Sequence, residues 1–282
     1  MAPAPPSSKD LEGFWGEPTS TLDWCEENYV VSYYIAEFWN TVSNLALILP
    51  PLITIASFTK YQQQIETRYY VACILMTIVG IGSWCFHMTL LFEMQMLDEL
   101  PMIYAACVLI YCIFQTDGKE SHSLALAVSL ILCAVTVTLV YLTIQDPMFH
   151  EVCYGSLVLL IIGRCIYCIR TMEHSRYLCM YGMASIIGAF IIWNIDNICC
   201  TQLRSWRDSL PFPLSVLTQG HMWWHILIGM ATHVHIMFSL HIRSNYLKYS
   251  PKIKHVASFP YLSLAGAGTQ KTSMDGNKNH YL

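Results

Sequence analysis

Seven stretches of mostly apolar residues alternate with short polar joints along the chain: 36 to 57, 69 to 89, 96 to 115, 123 to 143, 148 to 169, 177 to 199 and 217 to 242. A bilayer core about 30 Å thick needs about 20 apolar residues per helix. The pattern therefore predicts an all-α fold, a polytopic membrane protein built as a seven-transmembrane helical bundle. Pro50-Pro51 lies inside the first stretch and predicts a kink, because each proline removes a helical hydrogen bond that neighbouring helices must replace. The division expected is an N-terminal segment over 1–35, the helical domain over 36–245 and a tail over 246–282. From about Pro251 the tail turns polar and is expected to lack fixed structure.

Composition supports the membrane reading. Of 282 residues, 55% are hydrophobic and 12% charged, with a mean hydropathy of +0.43, whereas a soluble domain carries about 25% charged residues. A net charge of −4 with dispersed basic residues argues against a nucleic-acid partner. The first ten residues have no apolar core, so they are not expected to be a cleaved signal peptide, and the first span serves as anchor. Lys and Arg gather in alternate joints, from Lys60 to Arg68, from Asp117 to Ser121 and from Arg170 to Arg176, and again from Arg243 to Lys254. The positive-inside rule then predicts a lumenal or extracellular N-terminus and a cytosolic C-terminus. Most of the twelve cysteines are spaced as small buried hydrophobes, with Cys25, Cys199 and Cys200 set apart from them.

That topology brings the unusual polar residues of the spans to one membrane face, and an ionisable group inside a span is costly enough to suggest function. His87 ends the second span one helical turn after Ser83, and His221 and His225 stand one turn apart in the seventh. Three imidazoles on facing helices can hold one Zn²⁺ with a fourth position open for water, the pattern of a catalytic zinc. A buried structural role for the histidines is the alternative. Asp98, at the start of the third span, suits a general base and acid, or else a charge at a helix N-terminus. Glu99 points about 100° away from it. Ser83 suits an oxyanion donor, or else a small packing residue.

A second group, Asp23-Trp24-Cys25-Glu26-Glu27-Asn28 with Glu37, offers oxygen donors that would suit calcium, though its spacing reads first as an ordinary acidic loop. Asn40, Ser43, Asn44, Asn194, Asp196 and Asn197 could orient the zinc histidines or simply bond helix to helix. His233, His235 and His241 fall outside the proposed site and carry no assigned chemistry.

These residues resemble the alkaline ceramidases, and within them the type 3 branch, the phytoceramidases. The likeness spans about 11 to 255, through Ser20 to Tyr29, Ile35 to Asn44, Gly82 to Thr89, Gln95 to Tyr104, Trp193 to Asn197 and Trp223 to Leu227. The resemblance implies zinc on His87, His221 and His225, general base and acid chemistry at Asp98, and oxyanion support from Ser83. It also implies calcium on Asp23, the Trp24 carbonyl, Glu26, Asn28 and Glu37, and a disulfide between Cys25 and Cys200, with the adjoining Cys199 as an alternative partner. The reaction implied is hydrolysis of ceramide, phytoceramide or dihydroceramide in the endoplasmic reticulum and Golgi membrane, with no soluble cofactor. The polar run from about Gly266 and the joint from Asp117 to Ser123 depart from the family pattern. The competing readings are a zinc-containing receptor of the adiponectin or progestin kind, which lacks the Asp23 to Asn28 pattern, and a transporter, which would show repeats absent here.

Overall fold

The computed structural model describes residues 7–60, 65–118, 123–256 and 259–264. Its seven long helices are apolar enough to cross a membrane, which makes this an integral membrane protein by length and composition. The first span is divided: α1 (Phe38–Ser43) stops at Asn44 and α2 (Leu45–Lys60) continues. The break precedes Pro50 and Pro51, which both lie inside α2.

The remaining spans are α3 (Thr67–Thr89), α4 (Phe92–Phe114), α5 (Leu124–Ile144), α6 (Pro147–Thr171), α7 (Arg176–Ile198) and, after the short helix α8 (Cys200–Ser209), α9 (Gly220–Tyr246). Side-chain caps start three of them. Ser123 accepts the Leu126 amide, Asp146 that of Met148 ahead of Pro147, and Ser175 that of Leu178.

Burial divides the bundle. In α9 the most apolar window is 72% buried within protein and in α4 61%, against 11% in α5, 11% in α6 and 17% in α7. The first span, α3, α4 and α9 form the packed half, and α5, α6 and α7 present their apolar faces outward to lipid. At the end of the bundle remote from the N-terminal loop, Arg243 donates to Glu66 at 2.8 Å and to the Gly118 carbonyl at 2.7 Å, and Arg68 pairs with Glu66 and reaches the Gln115 carbonyl at 3.0 Å. These pairs offset the charge of two buried guanidinium groups where the spans end.

The tail corrects one expectation. Instead of losing fixed structure at Pro251, the chain forms an antiparallel hairpin, β1 (Pro251–Val256) with β2 (Phe259–Leu264). The reason is an apolar edge hidden in a polar-looking stretch: Leu262 is fully buried in the core cluster with Ile253 packed beside it, while Lys252 and Lys254 lie outside that cluster. His233 of α9 donates from Nε2 to the Pro260 carbonyl at 2.8 Å and fastens the hairpin to the bundle. The stretch from 265 onward lies outside the described residues.

Candidate metal and catalytic site

Two short backbone contacts set the site. Pro101 has no N–H, so the Leu97 carbonyl one turn earlier in α4 is left without its helical donor. That carbonyl lies against Gly82 of α3, where a Cβ would come within 2.1 Å of it. Only glycine permits this approach. It draws the two helices together beside Ser83 and Asp98, which line one cavity. The second contact repeats the device: Pro50 frees the Ala46 carbonyl of α2, which a Cβ on Gly229 of α9 would meet at 2.8 Å, one turn below His225.

The α3 to α4 joint is equally short. Leu90, with φ 53°, closes α3 in the left-handed conformation, and α4 begins at Phe92. His87 near the end of one helix and Asp98 near the start of the other therefore lie toward the same end of the bundle, with Asp98 level with Gly82 and Ser83, about a turn deeper than His87.

His87, His221 and His225 converge. Their ring centroids lie 5.1, 4.8 and 4.5 Å apart in pairs, and one nitrogen of each falls within 4.8 Å of the others. Among the described residues no other group of three His, Cys, Asp or Glu side chains gathers this closely. Two rings have a fixed tautomer. With Glu37 ionised, His87 Nδ1 donates to Glu37 Oε2 at 2.5 Å, leaving the lone pair of Nε2 free. Ser43 Oγ gives its proton to the Asn40 carbonyl at 2.8 Å and so accepts from His225 Nδ1 at 2.8 Å, which frees His225 Nε2 in turn. His221 is sandwiched between Trp24 and Trp224, and its buried Nδ1 has no hydrogen-bond partner. Oriented neutral imidazoles with unshared lone pairs are what a divalent ion of the zinc class needs, so the donor set fits a metal.

Ser83 Oγ stands 3.4 Å from His225 Nε2. Ser83 and Asp98 also line a largely apolar cavity that runs down the bundle between α4, α6, α7 and α9, past Met102, Tyr154 and Ile161.

Of the other polar residues anticipated near the histidines, Ser43 and Asn40 are in place. Asn44 bonds the Asn40 carbonyl at 3.0 Å. Asn194 and Asn197 instead bond carbonyls of their own helix, Phe190 and Trp193, each at 2.7 Å. Asp196 abuts Gly220 at the start of α9, one residue before His221. His233 and His235 lie farther along α9, His235 beside Cys165 at 3.6 Å.

The acidic loop folds over this end of the bundle. Glu26 accepts the Trp39 and Asn40 amides at 2.7 and 2.8 Å and so caps the start of the first span. Glu37 accepts the Trp24 amide at 3.2 Å, and its own amide bonds the His87 carbonyl at 2.9 Å. Asp23 Oδ1 and Asn28 Oδ1 are buried without partners. Burial, then the Glu37 charge, pushes Asp23 up to about 7. Burial, then Glu37, pushes Glu26 up to about 8, and burial pushes Glu37 up to about 8. Carboxylates crowded this way favour either protons or a hard cation. The Trp24 carbonyl faces Arg204 at 3.5 Å, and Arg207 pairs with Glu27. The disulfide joins Cys25 to Cys200, with Cα atoms 5.4 Å apart, and Cys199 stays free.

What the sequence did not reveal is that Glu37 reaches His87 directly. It also gave no sign of a polar group behind Asp98, in which Glu99 meets Tyr141 and His150.

Comparison with known proteins agrees with the geometry. The ceramidase family model matches residues 16–263. The chain is 48% identical to mouse alkaline ceramidase 3 over 256 residues, covering 90% of this chain and 94% of that protein. It is 33% identical to alkaline ceramidase YPC1 of Saccharomyces cerevisiae, covering 83% and 79%, and 29% identical to an alkaline ceramidase of Arabidopsis thaliana, covering 92% and 98%. With a family match across most of its length and a histidine triad built into its packed half, the chain belongs to the ceramidase family and is a hydrolase of that family.

Proposed function

We propose that the protein hydrolyses the amide bond of ceramides, including phytoceramide and dihydroceramide, to a sphingoid base and a free fatty acid, using zinc held by His87, His221 and His225. The observation that carries this reading is three buried imidazoles converging beside Ser83 and Asp98 at the head of an apolar cavity. Zinc, when bound, polarises the amide carbonyl and acidifies a water toward a pKa of about 7. Asp98 takes the proton of the attacking water and delivers it to the departing amine, so one carboxylate serves as base and then acid. Ser83 donates its hydroxyl hydrogen to the oxyanion. Glu37 and Ser43 hold the rings of His87 and His225 in the tautomer that ligation requires. The cavity takes the hydrocarbon tails, and the loosely packed flank of α6 and α7 that lines it supports entry from the bilayer.

Asp23, the Trp24 carbonyl, Glu26, Asn28 and Glu37 would hold calcium, supported by the two unpartnered oxygens and the crowded carboxylates. Glu37 would then brace the calcium loop and the zinc ligand together. A disulfide at the loop end suits an oxidising lumen, and the Lys and Arg residues at the other end suit the cytosol, which supports a lumenal N-terminus in endoplasmic reticulum and Golgi membranes. The test is direct. Purified protein given a labelled ceramide releases fatty acid, and the variant with His87, His221 and His225 all changed to Ala releases none. Turnover that survives in that variant refutes the proposal.

A further inference from the structure

We propose that Glu99 is a positioning residue for the reaction, its carboxylate clamping α4 so that Asp98 is held against Ser83. This rests on the catalytic assignment of Asp98 made above.

Glu99 is almost fully buried and turns toward α5 and α6 rather than toward the histidines. Tyr141 of α5 donates its hydroxyl to Glu99 Oε2 at 2.5 Å, and Gln95 donates Nε2 to the same oxygen at 3.0 Å. His150 of α6 donates Nε2 to the Glu99 backbone carbonyl at 2.9 Å, and its Nδ1 stands 3.7 Å from Glu99 Oε1. Gln95 extends the group to the N-terminal loop, accepting the Thr21 amide at 2.8 Å and donating to Thr21 Oγ1 at 2.8 Å. Glu99, Gln95, Tyr141 and His150 are all buried.

Placement explains the effect. Adjacent helical residues point about 100° apart, so fixing the direction of Glu99 fixes that of Asp98 on the other side of the same turn. Apolar packing ties α4 to α5 and α6 from Ile103 onward, whereas at the level of Asp98 it is Glu99 that reaches these two helices, through polar bonds. Polar bonds there are costly to break in a low-dielectric setting, which makes the clamp stiff. On the inner side, the Leu97 to Gly82 contact sets the distance between α3 and α4 but leaves rotation about the α4 axis to be held elsewhere.

The experiment uses the purified full chain, zinc-loaded, turning over ceramide. Glu99→Ala is expected to lower kcat about 10- to 100-fold, with KM and bound zinc unchanged, since small misplacements of a catalytic group have effects of this size. Glu99→Gln is expected to restore most of the rate, because its amide oxygen accepts the same two hydrogen bonds. Tyr141→Phe, which keeps the ring packing, should show the same pattern at about 3- to 10-fold. On an Asp98→Asn background, followed over long incubations, Glu99→Ala should change the residual rate less than about twofold, because it acts through Asp98. Multiplying effects in the double variant, a wild-type kcat in Glu99→Ala and Tyr141→Phe, or loss of zinc that Glu99→Gln does not rescue each overturn the proposal. A wild-type rate in Asp98→Asn alone would instead overturn the catalytic assignment beneath it.

Discussion

The two halves of this bundle are built on different terms. In the half formed by the first span, α3, α4 and α9, helices approach until backbone touches backbone, as the Leu97 carbonyl does Gly82 and the Ala46 carbonyl does Gly229. In the half formed by α5, α6 and α7, Gly155 and Gly163 have nothing within 4 Å of a Cβ built on them. Every residue assigned to a bond-making or metal-holding role sits in the first half, and the second supplies apolar wall to the cavity and, from Tyr141 and His150, polar partners for Glu99. Chemistry needs atoms held to a fraction of an ångström, while binding a flexible hydrocarbon tail needs only a greasy surface that can yield.

The same substitution in the two halves gives the largest contrast. Gly82→Ala drives a methyl into a backbone carbonyl that cannot swing aside, so it is expected to destabilise by about 1–3 kcal/mol. It should also cut turnover at least about 100-fold as Ser83 parts from Asp98. Gly163→Ala should leave both near wild type. Thermal unfolding and ceramide turnover of the two purified variants check this, and equal effects would erase the distinction between the halves.

A smaller effect is expected at the seam between the loop and the triad. Glu37→Ala removes the acceptor of His87 Nδ1, and losing such a partner lowers metal affinity or activity about 10- to 100-fold. Zinc titration of the variant measures it, and unchanged affinity would mean that the 2.5 Å contact does not orient the ring.

The smallest effect expected is a shift of thermal midpoint with pH. Asp23, Glu26 and Glu37 have folded-state values raised to about 7, 8 and 8, so without calcium their folded environment prefers the protonated form. Stability is then fullest below the ordinary carboxylate range and falls as pH rises through 7 to 8. Calcium takes the place of the protons, so the midpoint gained on adding calcium should be larger at pH 9 than at pH 6. A calcium-free midpoint that stays level or climbs over this range would remove the carboxylate cluster as its cause.

Much of this was legible in the chain. Span positions follow from apolar run length alone, and seven stretches became seven long helices within a few residues at each end. The i,i+4 spacing of His221 and His225 and the similar depth of His87 point to the triad from the chain alone. The hairpin escaped because alternating lysines at 252 and 254 give its first strand a polar average, though Ile253 and Leu262 face inward. The proline and glycine contacts escaped for a different reason. Pro101 announces a freed carbonyl, but nothing in the chain says that Gly82 is what the carbonyl meets. The partners of Glu99 were hidden in the same way, since they come from two other spans.

The central claim is that His87, His221 and His225 together hold one zinc ion, and metal analysis of the purified full-length protein tests it most directly. The account predicts about one zinc per chain in the wild type and its loss, in a protein that remains folded, on His221→Ala. Zinc retained at that level in His221→Ala, or ceramide turnover by wild-type protein stripped of all metal, would contradict it.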